Sequence, residues 1–257
     1  MATSAPRQTR SSIQQERTFY LCMLGAIFVL VAWGFAPSFF LRELVTPPAT
    51  YIDTPGWFGW LFIAHGLLFT LWLGLFATQV VLIGSKRLPL HKEIGKSTWP
   101  LYFALIAMGL IVGWMGAKYG FHNVPFDSVT FSALPWLVII SFAILCGMGL
   151  RERRDPQRHK RLMLIGTLIM ADAGIARVGI FHQLLPAWLD PTLLLLIPII
   201  LWDVYSIGRV HKATILGSAL AVLSLFVSIP IGQSAAWHGF AKNVLGIEAA
   251  PAGQIAT

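Results

Sequence analysis

Uncharged apolar runs long enough to cross a lipid bilayer recur along this chain. The first, residues 18–41, holds 24 residues without a charge, and about 20 apolar residues suffice for a transmembrane helix. Only 12% of all residues are charged, about half the fraction of a soluble domain. The sequence therefore predicts an all-α, polytopic membrane protein. Seven transmembrane helices are expected, within 18–38, 57–84, 98–117, 132–150, 158–181, 191–208 and 213–234.

The lysines and arginines are distributed unevenly between the two sides of these spans. Fifteen of the nineteen lie in the N-terminal tail and in the loops after spans two, four and six. By the positive-inside rule the N-terminus is inside and the C-terminus outside. The net charge of +8 is thus a topology signal, and the expected partner is the lipid bilayer, with no nucleic acid. We expect a disordered cytoplasmic tail (1–17), a seven-helix transmembrane domain (18–238) and a flexible outer tail (239–257).

The stretch 151–177 combines a dense basic run with an apolar helix. Asp155 is a predicted N-cap, and Pro156 suits the first helical position, where its missing N–H costs nothing. Asp172 and Arg177 lie deep in the apolar part, where ionisable residues usually mark function. His159 and Arg177 are 18 residues apart, or five helical turns, and are expected to share one helix face.

Three histidines and one aspartate are expected at the inner ends of four different spans. His91, His159 and His211 each precede a lysine and fall in the first turns of spans three, five and seven, while Asp203 lies near the inner end of span six. Three imidazoles and a carboxylate suit zinc or iron, and two imidazoles suit the axial positions of a haem. Alternatively, the His-Lys pairs only meet lipid headgroups, and Arg209 pairs with Asp203.

A second polar cluster is predicted along span two and the outer half of span five. One helix face carries a stripe of aromatic residues between two polar ends. Asp172 and Arg177 are expected at a depth similar to that of His65, which is a candidate partner for either of them. The simpler interpretations are core packing for the stripe and a structural ion pair for the charged residues. Two histidine sets joined by such a stripe are also what a two-haem electron carrier requires. The stripe consists of His65, Phe69, Trp72, Phe76 and Gln79.

Several of these residues form a familiar pattern over residues 55–215. Its members are His65-Gly66 with Trp72 and Gln79, Leu90-His91 with Gly95, the run 159–163, and Asp203 followed by Arg209 and His211. The pattern resembles a widespread family of uncharacterised bacterial multi-pass inner-membrane proteins. That resemblance implies the seven-span fold and the bacterial inner membrane, but no activity. The three histidines are also similar to the zinc site of seven-span hydrolases of the ceramidase and progestin-receptor type, although here they lie on different helices.

The function expected from these features is metal or haem binding at a polar site on the cytoplasmic side. A redox or assembly role near a respiratory or photosynthetic complex fits this site best. One alternative is a zinc-dependent membrane hydrolase, in which Asp203 or a bound water acts at the metal. The other is a non-enzymatic accessory subunit of a membrane complex, whose polar residues bind lipid or a partner subunit.

Overall fold

The computed structural model of this chain describes residues 10–37, 41, 44, 56–119, 126–186 and 189–247. In these residues the regular elements are all helices, and none is a strand. Two 3₁₀ segments, Gly95–Ser97 and Pro191–Leu195, precede α4 and α9. The helices are α1 Arg10–Phe35, α2 Gly56–Gly84, α3 Leu88–Ile94, α4 Thr98–Tyr119, α5 Ser128–Arg151, α6 Pro156–Met170, α7 Asp172–Ile175, α8 Gly179–Leu184, α9 Leu196–Ile207, α10 Lys212–Gly232 and α11 Ala235–Asn243.

Five helical stretches of the described chain are long and apolar enough to cross a membrane. They correspond to predicted spans one, two, three, four and seven, so the prediction of a helical membrane protein is confirmed. The stretch at predicted span six, Pro191–Ile207, is apolar but shorter. The five long stretches are Ile13–Phe35, Gly59–Gly84, Leu88–Lys118, Ser128–Arg151 and Lys212–Gly232.

Helix α6 lies in the middle of the bundle. Every residue from Arg161 to Met170 is buried, as expected for a helix that is apolar around most of its circumference. It packs against α5 and α10, and small residues allow the close approach. A Cβ added at Gly166 would lie 2.6 Å from the Cys146 sulfur of α5. The start of α6 is also as predicted, because Asp155 accepts hydrogen bonds from the backbone N–H groups of Gln157 and Arg158.

The predicted fifth span is broken, and its prediction as one continuous helix was wrong. Helix α6 ends at Met170, followed by the short helices α7 and α8. Asp172 at the break is buried and accepts a hydrogen bond from Thr192 Oγ1 at 2.8 Å. Irregular backbone at membrane depth is tolerated where protein covers it. His159 and Arg177 therefore share no helix face.

The two ends of the chain contain more helix than the sequence predicted. Helix α1 begins at Arg10, inside the expected tail, and its Glu16 pairs with Lys160 of α6. Helix α11 crosses the boundary at 238–239 and is capped by the Ser234 hydroxyl. Residues 1–9 and 248–257, and most of the predicted outer loop 39–56, lie outside the described residues.

The break brings two glycines of α1 and α7 into close contact. A Cβ on Gly34 would lie 1.8 Å from the carbonyl oxygen of Gly174, whereas a Cβ on Gly25 of the same helix would meet no atom within 4 Å. Only a glycine fits at position 34 without moving α1 away from α7.

We therefore expect Gly34→Ala to lower the free energy of unfolding by about 1–3 kcal/mol, because the helices must separate. Gly25→Ala is the matched control and should be neutral or stabilising by up to about 1 kcal/mol, since alanine favours a helix more than glycine does. Thermal unfolding of both variants in detergent measures the difference. Equal melting of the two variants would contradict the close contact.

Candidate functional site

Asp203 forms a fully buried ion pair with Arg161. The Arg161 Nε and Nη2 atoms lie 2.8 and 2.6 Å from Asp203 Oδ1, and each side chain is only 1% exposed. Asp203 Oδ2 accepts hydrogen bonds from the His211 backbone N–H at 2.9 Å and from Thr214 Oγ1 at 2.5 Å. The remaining arginine nitrogen, Nη1, donates to the carbonyl and side-chain oxygens of Gln157. The cluster thus ties α6, α9 and α10 together.

This partner was missed by the sequence interpretation. Arg161 was counted among the basic residues of an inner loop, and Arg209 was named as the simple partner of Asp203. The structure instead places Arg161 in the second turn of α6, inside the protein. A signal was present: Arg161, Ile165 and Leu168 recur at helical spacing, so a buried face of α6 includes the arginine.

His91 and His159 lie next to each other. Their ring centroids are 6.4 Å apart with nearly perpendicular planes. His159 Nδ1 lies 2.8 Å from the carbonyl oxygen of Gly149, and His91 Nδ1 lies 3.4 Å from that of Gln79. Because a carbonyl oxygen only accepts hydrogen bonds, Nδ1 carries the proton in both rings. Each neutral ring then has its lone pair on Nε2, the form in which histidine binds a metal.

His211 has a different role. Its Nδ1 accepts a hydrogen bond from the Ala213 backbone N–H at 3.1 Å, and it is the N-cap of α10. Burial, and next the positive charge of Arg161, hold the pKa of His211 below its ordinary value of 6.5. The ring is therefore neutral at pH 7 and keeps its acceptor. In this neutral form the proton is on Nε2, so no lone pair is left for a metal.

The expected convergence of His91, His159, His211 and Asp203 on one metal is not observed. Among the described residues, no three His, Cys, Asp or Glu side chains are grouped so that they could hold a metal ion. The reason is helical geometry, since residues two apart on a helix do not share a face. His159 lies on the side of α6 near α3, and Arg161 turns towards Asp203 on α9.

The aromatic stripe of α2 forms part of the core, as its simpler interpretation predicted. Trp72 and Phe76 are buried, and Trp72 Nε1 donates to Thr167 Oγ1 of α6 at 3.2 Å. The Trp72 ring also makes an edge contact with Phe142 at 5.0 Å. Phe69 stacks on His65 at 4.2 Å. The stripe therefore fixes α2 against α5 and α6.

The two polar ends of the stripe have buried atoms without a hydrogen-bond partner. These atoms are Nδ1 of His65 and both side-chain polar atoms of Gln79. Gln79 belongs with the histidine pair, because its carbonyl oxygen faces His91 and its amide lies beside Gly95, where a Cβ would be 3.4 Å from Nε2. An unpaired buried amide costs about 1–3 kcal/mol. Such groups usually indicate a water, an ion or a ligand.

Asp172 and Arg177 differ in exposure. Asp172 is 5% exposed and accepts a hydrogen bond from Thr192 Oγ1. Arg177 is exposed, donates to the carbonyl oxygen of Ala173, and lies over the Phe35 ring at 5.1 Å. Arg177 lies between α7 and α8, and its positive charge acts on both Asp172 and His65.

No protein family, no curated protein and no solved structure matches this chain. The resemblance to uncharacterised bacterial inner-membrane proteins stays a prediction that rests on the motifs themselves.

Removing one partner of the buried ion pair should destabilise the protein strongly. We expect Arg161→Gln and Asp203→Asn each to lower the free energy of unfolding by about 3 kcal/mol, because the other partner keeps its desolvation cost. Lys96→Gln is the matched control, because Lys96 pairs with Glu93 where both side chains are about 70% exposed. That change should cost less than about 0.5 kcal/mol. Denaturation of the three purified variants in detergent measures these changes in the free energy of unfolding. Similar changes for the buried and the exposed ion pair would contradict the burial of Arg161 and Asp203.

Proposed function

We propose that this protein is a bacterial inner-membrane protein that binds haem through His91 and His159, with a redox or assembly role near a respiratory or photosynthetic complex. The observation that carries the proposal is the histidine pair itself. Two rings 6.4 Å apart each have Nδ1 fixed by a backbone carbonyl and the lone pair left on Nε2. This second hydrogen bond is what orients a metal-binding histidine.

The number of histidines favours haem over zinc. A zinc site takes three or four protein ligands, whereas haem iron takes two axial ligands and obtains the others from the porphyrin. His91 and His159, whose ring centroids are 6.4 Å apart, would supply these two ligands through their Nε2 atoms. The unpaired Gln79 amide beside His91 supplies a donor and an acceptor for a polar edge of the bound group.

The geometry does not favour the zinc hydrolase. Asp203 already accepts hydrogen bonds from Arg161, His211 and Thr214, and His211 uses Nδ1 as a helix cap. The chemistry that haem supplies is one-electron transfer. The residues of the chain would hold and orient the group.

We also propose seven crossings with the N-terminus inside. The support is the uneven distribution of lysine and arginine, together with two further helical segments between α5 and α10. Pro191–Ile207 has 17 residues, and α6 with the short helix α7 after its break covers 156–175. Added to the five long stretches, these segments make seven crossings.

Reporter fusions test this topology. Alkaline phosphatase, which is active only outside the cytoplasm, should be active when fused after Thr257 and inactive when inserted after Arg154. Green fluorescent protein, which fluoresces when fused inside, should give the opposite result at the same two positions. Phosphatase activity at Arg154 with none at Thr257 would reverse the proposed orientation.

The absorption spectrum of the purified protein tests haem binding. We expect a Soret band in the parent, and we expect His91→Ala and His159→Ala each to lose most of it, because each removes one of the two residues that would hold the haem. His211→Asn is the matched control and should keep the band, since asparagine also caps helix N-termini.

The other outcomes separate the remaining functions. A colourless parent with stoichiometric zinc supports the hydrolase, and a colourless parent without metal supports the accessory subunit. A Soret band that survives both alanine variants contradicts the assignment of the ligands.

A further inference from the structure

A cavity of about 550 Å³ lies between α1 and α9, and this volume is in the usual range of ligand pockets, about 300–1,000 Å³. The rings of Phe19 and Trp202, which both line the cavity, stack almost in parallel with centroids 4.8 Å apart. Four of the six lining side chains are exposed, so ligand atoms can reach them. The lining consists of Gln14, Gln15, Thr18, Phe19, Trp202 and Tyr205.

The cavity lies where the apolar parts of both helices end. Gln14 and Gln15 directly follow Ile13, the first residue of the apolar stretch of α1, and Tyr205 lies two residues before Ile207, the last residue of the stretch that contains α9. This is the depth of the lipid head groups, where tryptophan and tyrosine are enriched. In the topology proposed above it is the inner leaflet, and only that choice of leaflet rests on the topology.

Exposed apolar positions continue from the cavity towards the middle of both helices. On α1, Cys22 and Val29 lie four and eleven residues after Thr18 and share its exposed face. On α9, Leu201 lies four residues before Tyr205 and is 61% exposed. A ligand with a polar group in the cavity and acyl chains along these faces therefore matches both parts of the surface.

The lining residues restrict the chemistry of the polar group. The amides of Gln14 and Gln15 and the hydroxyl of Thr18 can donate hydrogen bonds, which phosphate oxygens accept. The Tyr205 ring is 68% exposed and lies 5.6 Å from the Trp202 ring, and aromatic faces attract an ammonium group. None of the six lining residues is charged, so a head group that carries one positive and one negative charge fits better than an anionic one.

We propose that this cavity binds the head group of phosphatidylethanolamine. Its phosphate accepts hydrogen bonds from the polar side chains of α1, and its ammonium group lies against the aromatic rings of Trp202 and Tyr205. The site is separate from the histidine pair, which lies on α3 and α6, and does not depend on haem.

Native mass spectrometry of the full-length, delipidated protein in detergent tests the site. The probes are phosphatidylethanolamine and phosphatidylglycerol with the same acyl chains, and the parent should bind the first more tightly because the second lacks the ammonium group. Tyr205→Leu should bind phosphatidylethanolamine about fivefold more weakly, as expected for loss of one cation–π contact. Tyr205→Phe keeps the ring and should keep most of the binding. Trp60→Leu removes a 71% exposed aromatic ring from α2 and is the matched control, which should bind like the parent.

Four outcomes overturn the proposal. The first two are equal binding of the two lipids by the parent and equal binding of phosphatidylethanolamine by Tyr205→Leu and the parent. The third is complete displacement of the lipid by an equal concentration of glycerophosphoethanolamine, which has no acyl chains, because the ligand is then a soluble phosphate ester. The fourth is a dimer of the parent that Tyr205→Leu converts to a monomer, since a second copy of the chain then covers the cavity. The Soret band should be unchanged in Tyr205→Leu, so failure of haem binding and failure of lipid binding are distinguishable.

Discussion

The buried ion pair between Arg161 and Asp203 determines how the centre of this bundle is arranged. Two charges removed from water carry a large desolvation cost, which is offset only when hydrogen bonds satisfy both groups. Here Asp203 accepts from Arg161, His211 and Thr214. Because these donors come from α6 and α10 while the carboxylate is on α9, the pair fixes the rotation of α6 about its own axis.

That rotation also positions the histidine pair. His159 precedes Arg161 by two residues, so turning Arg161 towards α9 turns His159 to another side of the helix. There it meets His91 of α3 and the carbonyl oxygen of Gly149. The ion pair and the proposed ligand pair therefore depend on the same helix but occupy different sides of it. A single four-residue metal site would require both sides of α6 to face one point.

The parts that could be predicted from the sequence were those set by local pattern. Apolar length identified the long helices, the Asp155-Pro156 pair identified the start of α6, and helical spacing identified the stripe through Trp72. The helical spacing of Arg161 with Ile165 and Leu168 indicated a buried face, but the partner of Arg161 could not be predicted, because Asp203 lies 42 residues further along the chain. The grouping of the histidines likewise depends on helix rotation, which tertiary contacts decide.

The burial of α6 on every side has a consequence for how the protein is made. A helix that carries Arg158, Lys160 and Arg161 in its first two turns is a poor segment for insertion into lipid by itself, since the cost of an arginine or lysine rises to about 2.5–3.5 kcal/mol towards the centre of an inserted helix. The carboxylate that neutralises Arg161 is synthesised later, in α9. During synthesis, therefore, α6 cannot reach its final position until α9 and α10 have emerged from the ribosome, and the centre of the bundle is completed last.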